Sequence, residues 1–257
     1  MVEDFDFLLW LLTFIPAYYF GVPLLIRRQQ RFPAHPKVLE LDFYKMDPAL
    51  ARFLMSQTTA LFALGFEEPT LVQLPNPAPN VTTYLIMLVN RHTGDKVMVT
   101  AILGHGLVPL QTLYVEFSTR FETGEMFDTS NCAELGAFRL SPKTVRTKVP
   151  SVTDPAELYR IHKFVMNKHS AHGNKVVYEP GQALDYLIRV VHVGCYEEQV
   201  QRGWLFYDEE NDLYRTTIKG AYLIVWGLMQ PFKTLRTLAL HRRARKILAE
   251  FDRARAS

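Results

Sequence analysis

An uncharged apolar segment near the start of the chain constrains the fold most. From Phe7 to Ile26 the sequence reads FLLWLLTFIPAYYFGVPLLI, 20 residues without a charged side chain. At a rise of about 1.5 Å per residue, a helix of this length matches the hydrocarbon core of a bilayer, which is about 30 Å thick. The segment therefore predicts one transmembrane helix, within an anchor that covers residues 1–31. The alternative is a helix buried in a protein core.

The charges that flank this segment predict its orientation. Asp4 and Asp6 precede it, whereas Arg27, Arg28 and Arg31 follow it. Because positive residues collect on the cytoplasmic side of a membrane, the N-terminus is expected outside the cell (inner) membrane and the remaining chain in the cytoplasm. An acidic start followed by an apolar stretch and two arginines is not the pattern of a cleavable signal peptide.

Two prolines interrupt the apolar segment. Pro16 and Pro23 lack a backbone N–H, so each leaves a carbonyl of the preceding turn without its helical partner. Transmembrane helices tolerate proline when neighbouring groups satisfy these carbonyls. The prolines therefore predict a kink and a partner helix.

The rest of the chain has the composition of a folded protein. Apolar residues make up 48% of the 257 residues and charged residues 21%, which excludes an intrinsically disordered chain. Residues 32–46 are predicted to be a juxtamembrane linker, and residues 47–217 a cytoplasmic α+β domain. Asp47 and Pro48 begin a predicted helix that closes at Gly65.

The middle of the domain changes to extended segments. Four of them, VTTYLIMLVNR, KVMVTAIL, TLYVEFSTRF and EMFDTSN, follow a predicted loop from Leu74 to Asn80, and glycines at Gly94 and Gly124 suit tight hairpins. We expect an antiparallel meander of about four strands covered by helices on its inner face. In the third strand Glu116 and Ser118 alternate with apolar residues, which predicts one solvated face.

The second half of the domain is predicted to be mainly helical. Asp154 and Pro155 start a helix that extends to about His172, and another helix follows Pro180. A hairpin should then pair Trp204–Tyr207 with Leu213–Thr217 across an acidic turn.

The segment from Gln182 to Gly220 resembles the recognition helix and wing of winged-helix DNA-binding domains, which often close with a similar Thr-x-Lys-Gly turn. The resemblance covers about 40 residues and rests on the helix, the hairpin and the sequence TTIKG. Asp208 and Asp212, with the two glutamates between them, lie on the wing and would repel phosphates. Nucleic acid is therefore not expected as a partner.

Three histidines lie on the helix that begins at Pro155. His162 and His169 share one face, and His172 lies one turn further. Their spacing matches no zinc motif, and helix-terminal histidines also suit the helix dipole. His105, between two glycines, is a candidate acid or base, although a turn histidine has the same pattern.

The remaining polar candidates carry no specific signature. The Thr129-Ser130-Asn131 sequence suits a turn at a strand end. Cys132 and Cys195 have no metal spacing and no adjacent base. We therefore predict no catalytic residue, cofactor or metal ligand.

The C-terminal residues 218–257 combine an apolar helix with a basic one. Residues 233–257 contain eight Lys/Arg and two acids, against a net charge of +3 for the whole chain, so the positive charge is concentrated here. A basic amphipathic helix of this kind can lie on an anionic membrane surface. The residues predicted to contact the membrane surface are Arg27, Arg28, Arg31, Trp226, Arg242, Arg245 and Lys246.

Three functional hypotheses follow from this pattern. The first is a non-enzymatic, single-pass protein that serves as a cytoplasmic interaction or accessory subunit of a membrane assembly, with membrane lipids and other membrane subunits as partners. The second is a membrane-associated enzyme acting on a lipid or lipid-linked substrate. The third is a lipid-binding or sensing module.

Overall fold

A computed structural model of the chain describes residues 13–78, 81–104, 110–169 and 173–256, and it has the predicted α+β class. The helices are α1 (residues 13–29), α2 (Pro48–Phe62), α3 (Pro155–Lys168), α4 (residues 180–201), α5 (Ile218–Trp226) and α6 (Phe232–Ala256), with a short 3₁₀ turn at Phe43–Lys45. The strands are β1 (Phe32–Pro33), β2 (Leu39–Glu40), β3 (Glu67–Ala78), β4 (Val81–Asn90), β5 (Asp95–Gly104), β6 (Leu110–Arg120), β7 (Met126–Ser130), β8 (Thr144–Lys148), β9 (Leu205–Asp208) and β10 (Leu213–Thr216). Both α1 and α4 contain a π-helical stretch, at Ala17–Gly21 and Leu187–Val193.

A seven-stranded sheet forms the centre of the fold, in the order β2-β3-β4-β5-β6-β7-β8. Its neighbouring strands are antiparallel except β7 and β8, which are parallel. The predicted meander of four strands is confirmed as β4 to β7, and Gly94 and Gly124 take the positive φ angles that its tight turns require. The loop predicted from Leu74 to Asn80 is partly wrong, because β3 continues to Ala78. The pairing shifts in register between Pro75 and Ala78, so the regular hydrogen bonding to β4 is already interrupted where proline lacks a backbone N–H.

Helices α2, α3 and α6 cover one face of this sheet. Asp47 and Asp154 cap α2 and α3 as predicted, since their carboxylates accept hydrogen bonds from the backbone of the first turn. The core beneath these helices contains Leu54, Phe117 and Ile161, all fully or almost fully buried.

The second half of α6 belongs to this same core. Ala244 and Phe251 are buried, and Ile247 and Leu248 pack beside them. The apolar face of this half therefore packs on the body, whereas Arg242 and Arg245 are exposed.

Helix α4 covers the opposite face of the sheet. Leu187 packs with Leu85 and Met87 there, and the side chain of Ser118 is only 7% exposed. The prediction that this face is solvated is therefore wrong. The alternating sequence of β6 gave the correct strand, but α4 adds a second layer from about 70 residues further along the chain.

A smaller sheet, in the order β1-β10-β9, contains the predicted hairpin. Residues predicted as the juxtamembrane linker supply β1 to this sheet and β2 to the larger one. Thr217 caps α5 by accepting a hydrogen bond from the Gly220 backbone, so the TTIKG sequence forms a helix start and not the turn of a wing.

The predicted transmembrane helix is not supported by the described residues. In residues 13–78, 81–104, 110–169 and 173–256, no helix is both long and apolar enough to cross a membrane. The predicted span begins at Phe7, and its residues 7–12 lie outside the described ranges.

Candidate functional site

Proline at position 23 creates a backbone acceptor that a distant tryptophan uses. In a regular helix the carbonyl of Tyr19 would accept from the N–H of residue 23, which proline lacks. The Trp226 indole Nε1–H donates to this carbonyl instead, over 2.8 Å. Helix α5 is thus the partner helix that the prolines predicted, and it belongs to the same chain.

Further contacts fix the direction of this helix pair. The Tyr222 hydroxyl donates to the Phe20 carbonyl (3.1 Å), and the Arg27 Nε donates to the Thr216 carbonyl (3.0 Å). Later residues of α1 therefore meet earlier residues of α5 and the end of β10 that precedes it, so the two helices are antiparallel. The Phe20 ring also packs edge-on against Trp226, with ring centroids 6.0 Å apart.

The helix pair and the start of α6 expose many large apolar side chains, which we call the apolar helix surface. Leu25 is 66% exposed and Leu235 60%. Exposed apolar patches of this kind mark contacts with a membrane or another protein, because removing apolar surface from water is favourable by about 25 cal/mol per Å² of buried area. The surface comprises Phe14, Ile15, Tyr18, Phe20, Leu24, Leu25, Ile218, Leu223, Leu228, Phe232, Leu235 and Leu238.

Four of the predicted membrane-surface residues lie in or next to α1 and α5. Arg27 is half-buried through its bond to Thr216, whereas Arg28 and Arg31 are exposed beyond it. Trp226 lies between α1 and α5. Aromatic rings and arginines at the edge of an apolar surface are typical of a membrane interface.

A second feature, which we call the basic groove, lies between α6, β8 and the loop of residues 134–140. Its volume is about 670 Å³. Arg236 of α6 joins two of its walls by donating to the carbonyl of Gly136 (2.7 Å), and it also donates to the carbonyl of Gly227 (2.6 Å), which lies outside the groove. Its ionisable lining residues are Glu134, Arg139, Arg146, Lys148, Lys168, His169, Arg236, Arg243 and Lys246.

Of the basic residues predicted on α6, only Lys246 lines the groove. Arg242 and Arg245 are exposed elsewhere on the same helix. The sequence prediction missed Arg243, Arg139, Arg146 and Lys148. The local concentration of positive charge on α6 was the available signal, but the opposite wall comes from residues about 100 positions earlier.

The structure separates the predicted histidines. His162 is fully buried, with Nε2 2.9 Å from the Thr119 hydroxyl and Nδ1 3.0 Å from the Thr129 hydroxyl. Burial lowers its pKa to about 3, so the ring is neutral. His169 caps the end of α3 and borders the basic groove. His105 and His172 lie outside the described residues.

Beside His162 lies a buried carboxylate with several donors. Asp95 accepts from Thr119 (2.5 Å), Tyr159 (2.6 Å) and Lys175 (3.1 Å), and it forms an ion pair with Lys163. Burial opposes ionisation, but these donors together hold the Asp95 pKa well below its usual range. The network fastens α3 to the sheet. Among the described residues no group of three His, Cys, Asp or Glu could hold a metal ion.

A row of polar side chains crosses the other face of the sheet. The strand register aligns Lys96, Ser118, Asp128 and Arg146 on successive strands, and Asp128 pairs with Arg146 at 3.0 Å. The Lys96 ammonium lies 3.8 Å from the centroids of the Tyr178 and Tyr186 rings. Burial lowers the pKa of Lys96 to about 7. The two rings attract the ammonium form and therefore oppose this lowering. The two tyrosines thereby hold α4 and the segment before it on the sheet.

The Thr129-Ser130-Asn131 sequence has structural contacts. Thr129 bonds His162, and the Asn131 side chain accepts from the Val115 backbone (2.8 Å) and donates to the Val152 carbonyl (3.0 Å).

The two cysteines are free thiols, and burial raises the pKa of both. The stronger candidate sites are therefore the apolar helix surface and the basic groove.

The chain matches no protein-family model, and neither curated proteins nor solved structures give a match to it. A functional proposal for this protein therefore depends on the two surfaces described above.

Proposed function

We propose that the protein is a single-pass membrane protein whose α+β body works at the cytoplasmic face of the cell membrane, as an interaction or accessory subunit of a membrane assembly. The observation that carries this proposal is the apolar helix surface. Water is an unfavourable solvent for such a surface, and acyl chains or the apolar helices of a partner subunit would replace it.

The arrangement of α1 and α5 supports a membrane setting. The carbonyls of Tyr19 and Phe20 both receive side-chain donors from α5, and the Tyr19 carbonyl is the one that Pro23 leaves without a helical N–H, which needs a replacement donor where water is scarce. Arg28 and Arg31 follow at the end of α1, where the positive-inside rule expects the cytoplasm. Residues 7–26 would supply the span.

The lipid-enzyme hypothesis has less support. It takes its acid and base from His105 or from the histidines of α3, but His162 is enclosed in the core and does not line the groove that His169 borders. The lipid-binding hypothesis is favoured by a separate observation, the basic groove.

The proposal is tested by fractionating cells that produce the full chain and washing the membranes with alkaline carbonate. We expect the wild-type chain to stay in the membrane pellet and Leu24→Arg with Leu25→Arg to move largely to the supernatant. The matched control is Met55→Arg with Phe62→Arg, which places the same charges on exposed apolar sites of α2. A wild-type chain found in the supernatant would refute membrane attachment.

A second measurement tests the orientation and the subunit role. Protease added to spheroplasts should remove an N-terminal tag and leave a C-terminal tag intact. Native mass measurement after extraction in mild detergent should show a complex larger than the monomer. A lone monomer would contradict the proposal that the body serves an assembly.

A further inference from the structure

The basic groove has an excess of positive charge that its own residues do not neutralise. Seven Lys/Arg residues line it, together with His169, and Glu134 is the acidic residue among them. The side chain of Arg146 pairs with Asp128 on the opposite face of the sheet, and Lys168 pairs with Glu250. Glu134 and Glu250 thus accompany the six other cations, which makes the groove attractive to an anion.

Two of these cations, Arg243 and Lys246, have no carboxylate within ion-pair distance in the described parts of the chain, although Glu250 attracts Lys246 at longer range. Both are exposed, and they are three residues apart on α6, so their side chains lie on one face of the helix. Arg236, on the same helix, donates to the Gly136 carbonyl of the opposite wall.

The groove also continues into apolar surface. Ala239, Leu240 and Ile247 contribute apolar atoms to its wall. An anionic group in the groove would therefore have acyl-compatible surface directly beside it.

We propose that the basic groove binds a phosphate ester, with Arg243 and Lys246 as its principal contacts. Arginine and lysine are the residues that most often bind phosphate, and each contact is a charge-assisted hydrogen bond. A lipid headgroup and a small soluble phosphate ester share this chemistry. The lipid source rests on the proposed function, since membrane attachment brings the groove to a surface of headgroups.

The test is calorimetric titration of the full chain in a neutral mild detergent. The probes are dihexanoyl phosphatidic acid, dihexanoyl phosphatidylcholine and glycerol 3-phosphate. We expect phosphatidic acid to bind at least about tenfold more tightly than phosphatidylcholine, whose choline offsets the phosphate charge. Equal binding of glycerol 3-phosphate supports a soluble ligand, and its failure to bind supports a lipid headgroup.

Two variants of matched charge give the test its specificity. Arg243→Glu with Lys246→Glu should weaken phosphatidic acid binding at least about tenfold, because both phosphate contacts become repulsive. Arg242→Glu with Arg245→Glu makes the same change on the same helix outside the groove, and it should weaken binding less than about twofold. Failure of the wild type to bind either phosphate probe overturns the proposal, as does an equal loss in both variants.

The outcome is independent of membrane attachment. The Arg243→Glu, Lys246→Glu protein should remain in the carbonate-washed membrane pellet, because the apolar helix surface is unchanged. If the variant loses phosphate binding but stays in the membrane pellet, the result bears only on the proposed phosphate site. If the wild-type chain is found in the supernatant, the result bears only on the proposed membrane attachment.

Discussion

Buried His162 shows how one side chain can make stability depend on pH. Its ring is hydrogen-bonded to two threonines in the core, and burial lowers its pKa to about 3, against about 6.5 in an unfolded chain. Between these values the unfolded state binds a proton that the folded state does not. Stability is therefore lost as the pH falls from 6.5 towards 3.

We predict that His162→Gln removes this part of the pH dependence. In the wild type, the free energy of unfolding should fall by on the order of 4 kcal/mol over this range because of His162. Urea titrations at pH 7, 5 and 4 would measure it. His169→Gln, which changes an exposed histidine on the same helix, should retain the wild-type slope, and an unchanged slope in the His162 variant would contradict the account.

The Asp95 carboxylate is a second residue with a large expected effect. We predict that Asp95→Asn lowers the free energy of unfolding at pH 7 by about 3 kcal/mol, because Lys163 and Lys175 lose their partner in a partly buried site. The Asp95 pKa is depressed in the folded state, so its stabilising effect is present above about pH 4 and is lost as the pH falls further.

The difference between wild type and Asp95→Asn should accordingly narrow below pH 4 in the same urea titrations. Asp185→Asn offers the matched control, since Asp185 forms an exposed ion pair with Arg189 at 2.6 Å. That change should cost less than about 0.5 kcal/mol at any pH. A similar loss in both variants would refute the buried network as the cause.

At the scale of elements, Gly220 determines how closely α5 approaches the smaller sheet. A Cβ atom at this position would lie 1.9 Å from the Trp204 carbonyl oxygen, which is a backbone atom and cannot rotate away. The first turn of α5 therefore needs glycine, and the bond from the Gly220 backbone to Thr217 fixes that turn.

We predict that Gly220→Ala displaces α5 and lowers the free energy of unfolding by about 3 kcal/mol. Gly21→Ala is the control, because Gly21 is helical and its added Cβ would meet no atom within 4 Å. That change should be neutral or stabilise by up to about 1 kcal/mol. Thermal unfolding of both variants in detergent would compare them, and equal midpoints would contradict the close packing.

At the scale of the whole molecule, the proposed membrane attachment would have two separable contributions, one from the apolar helix surface and one from the basic charges. We predict that raising NaCl from 0.1 to 0.5 M slows several-fold the association of the chain, diluted from detergent, with vesicles that contain anionic lipid, because exposed charges are screened. Binding to neutral vesicles should change little. Flotation assays would measure both, and equal salt dependence would show that charge selectivity does not arise from the basic residues.

Features that depend on neighbouring residues could be predicted from the sequence. Asp47 and Asp154 correctly predicted the starts of their helices, and Gly94 and Gly124 correctly predicted two hairpins. Each of these residues determines the backbone conformation only within about four residues of itself. The alternation in β6 likewise predicted a strand, because side-chain direction in a strand follows from its own geometry.

Features that join distant segments could not be predicted in this way. The phosphate-binding surface we propose combines residues near 140 with residues near 243, and His162 meets threonines 43 and 33 residues earlier. The parallel pairing of β7 with β8 depends on a connection that carries no local signal for pairing. Pro16 and Pro23 predicted a partner for α1, but no pattern identified Trp226 as its donor.

The contact between α1 and α5 also has a consequence for the timing of synthesis. The Trp226 indole and the Tyr19 carbonyl that it bonds are separated by 207 residues. At a translation rate of about 5 to 20 residues per second, α1 leaves the ribosome roughly 10 to 40 s before its partner. During that interval the Tyr19 carbonyl and the aromatic face of α1 lack the partner that they contact in the folded chain.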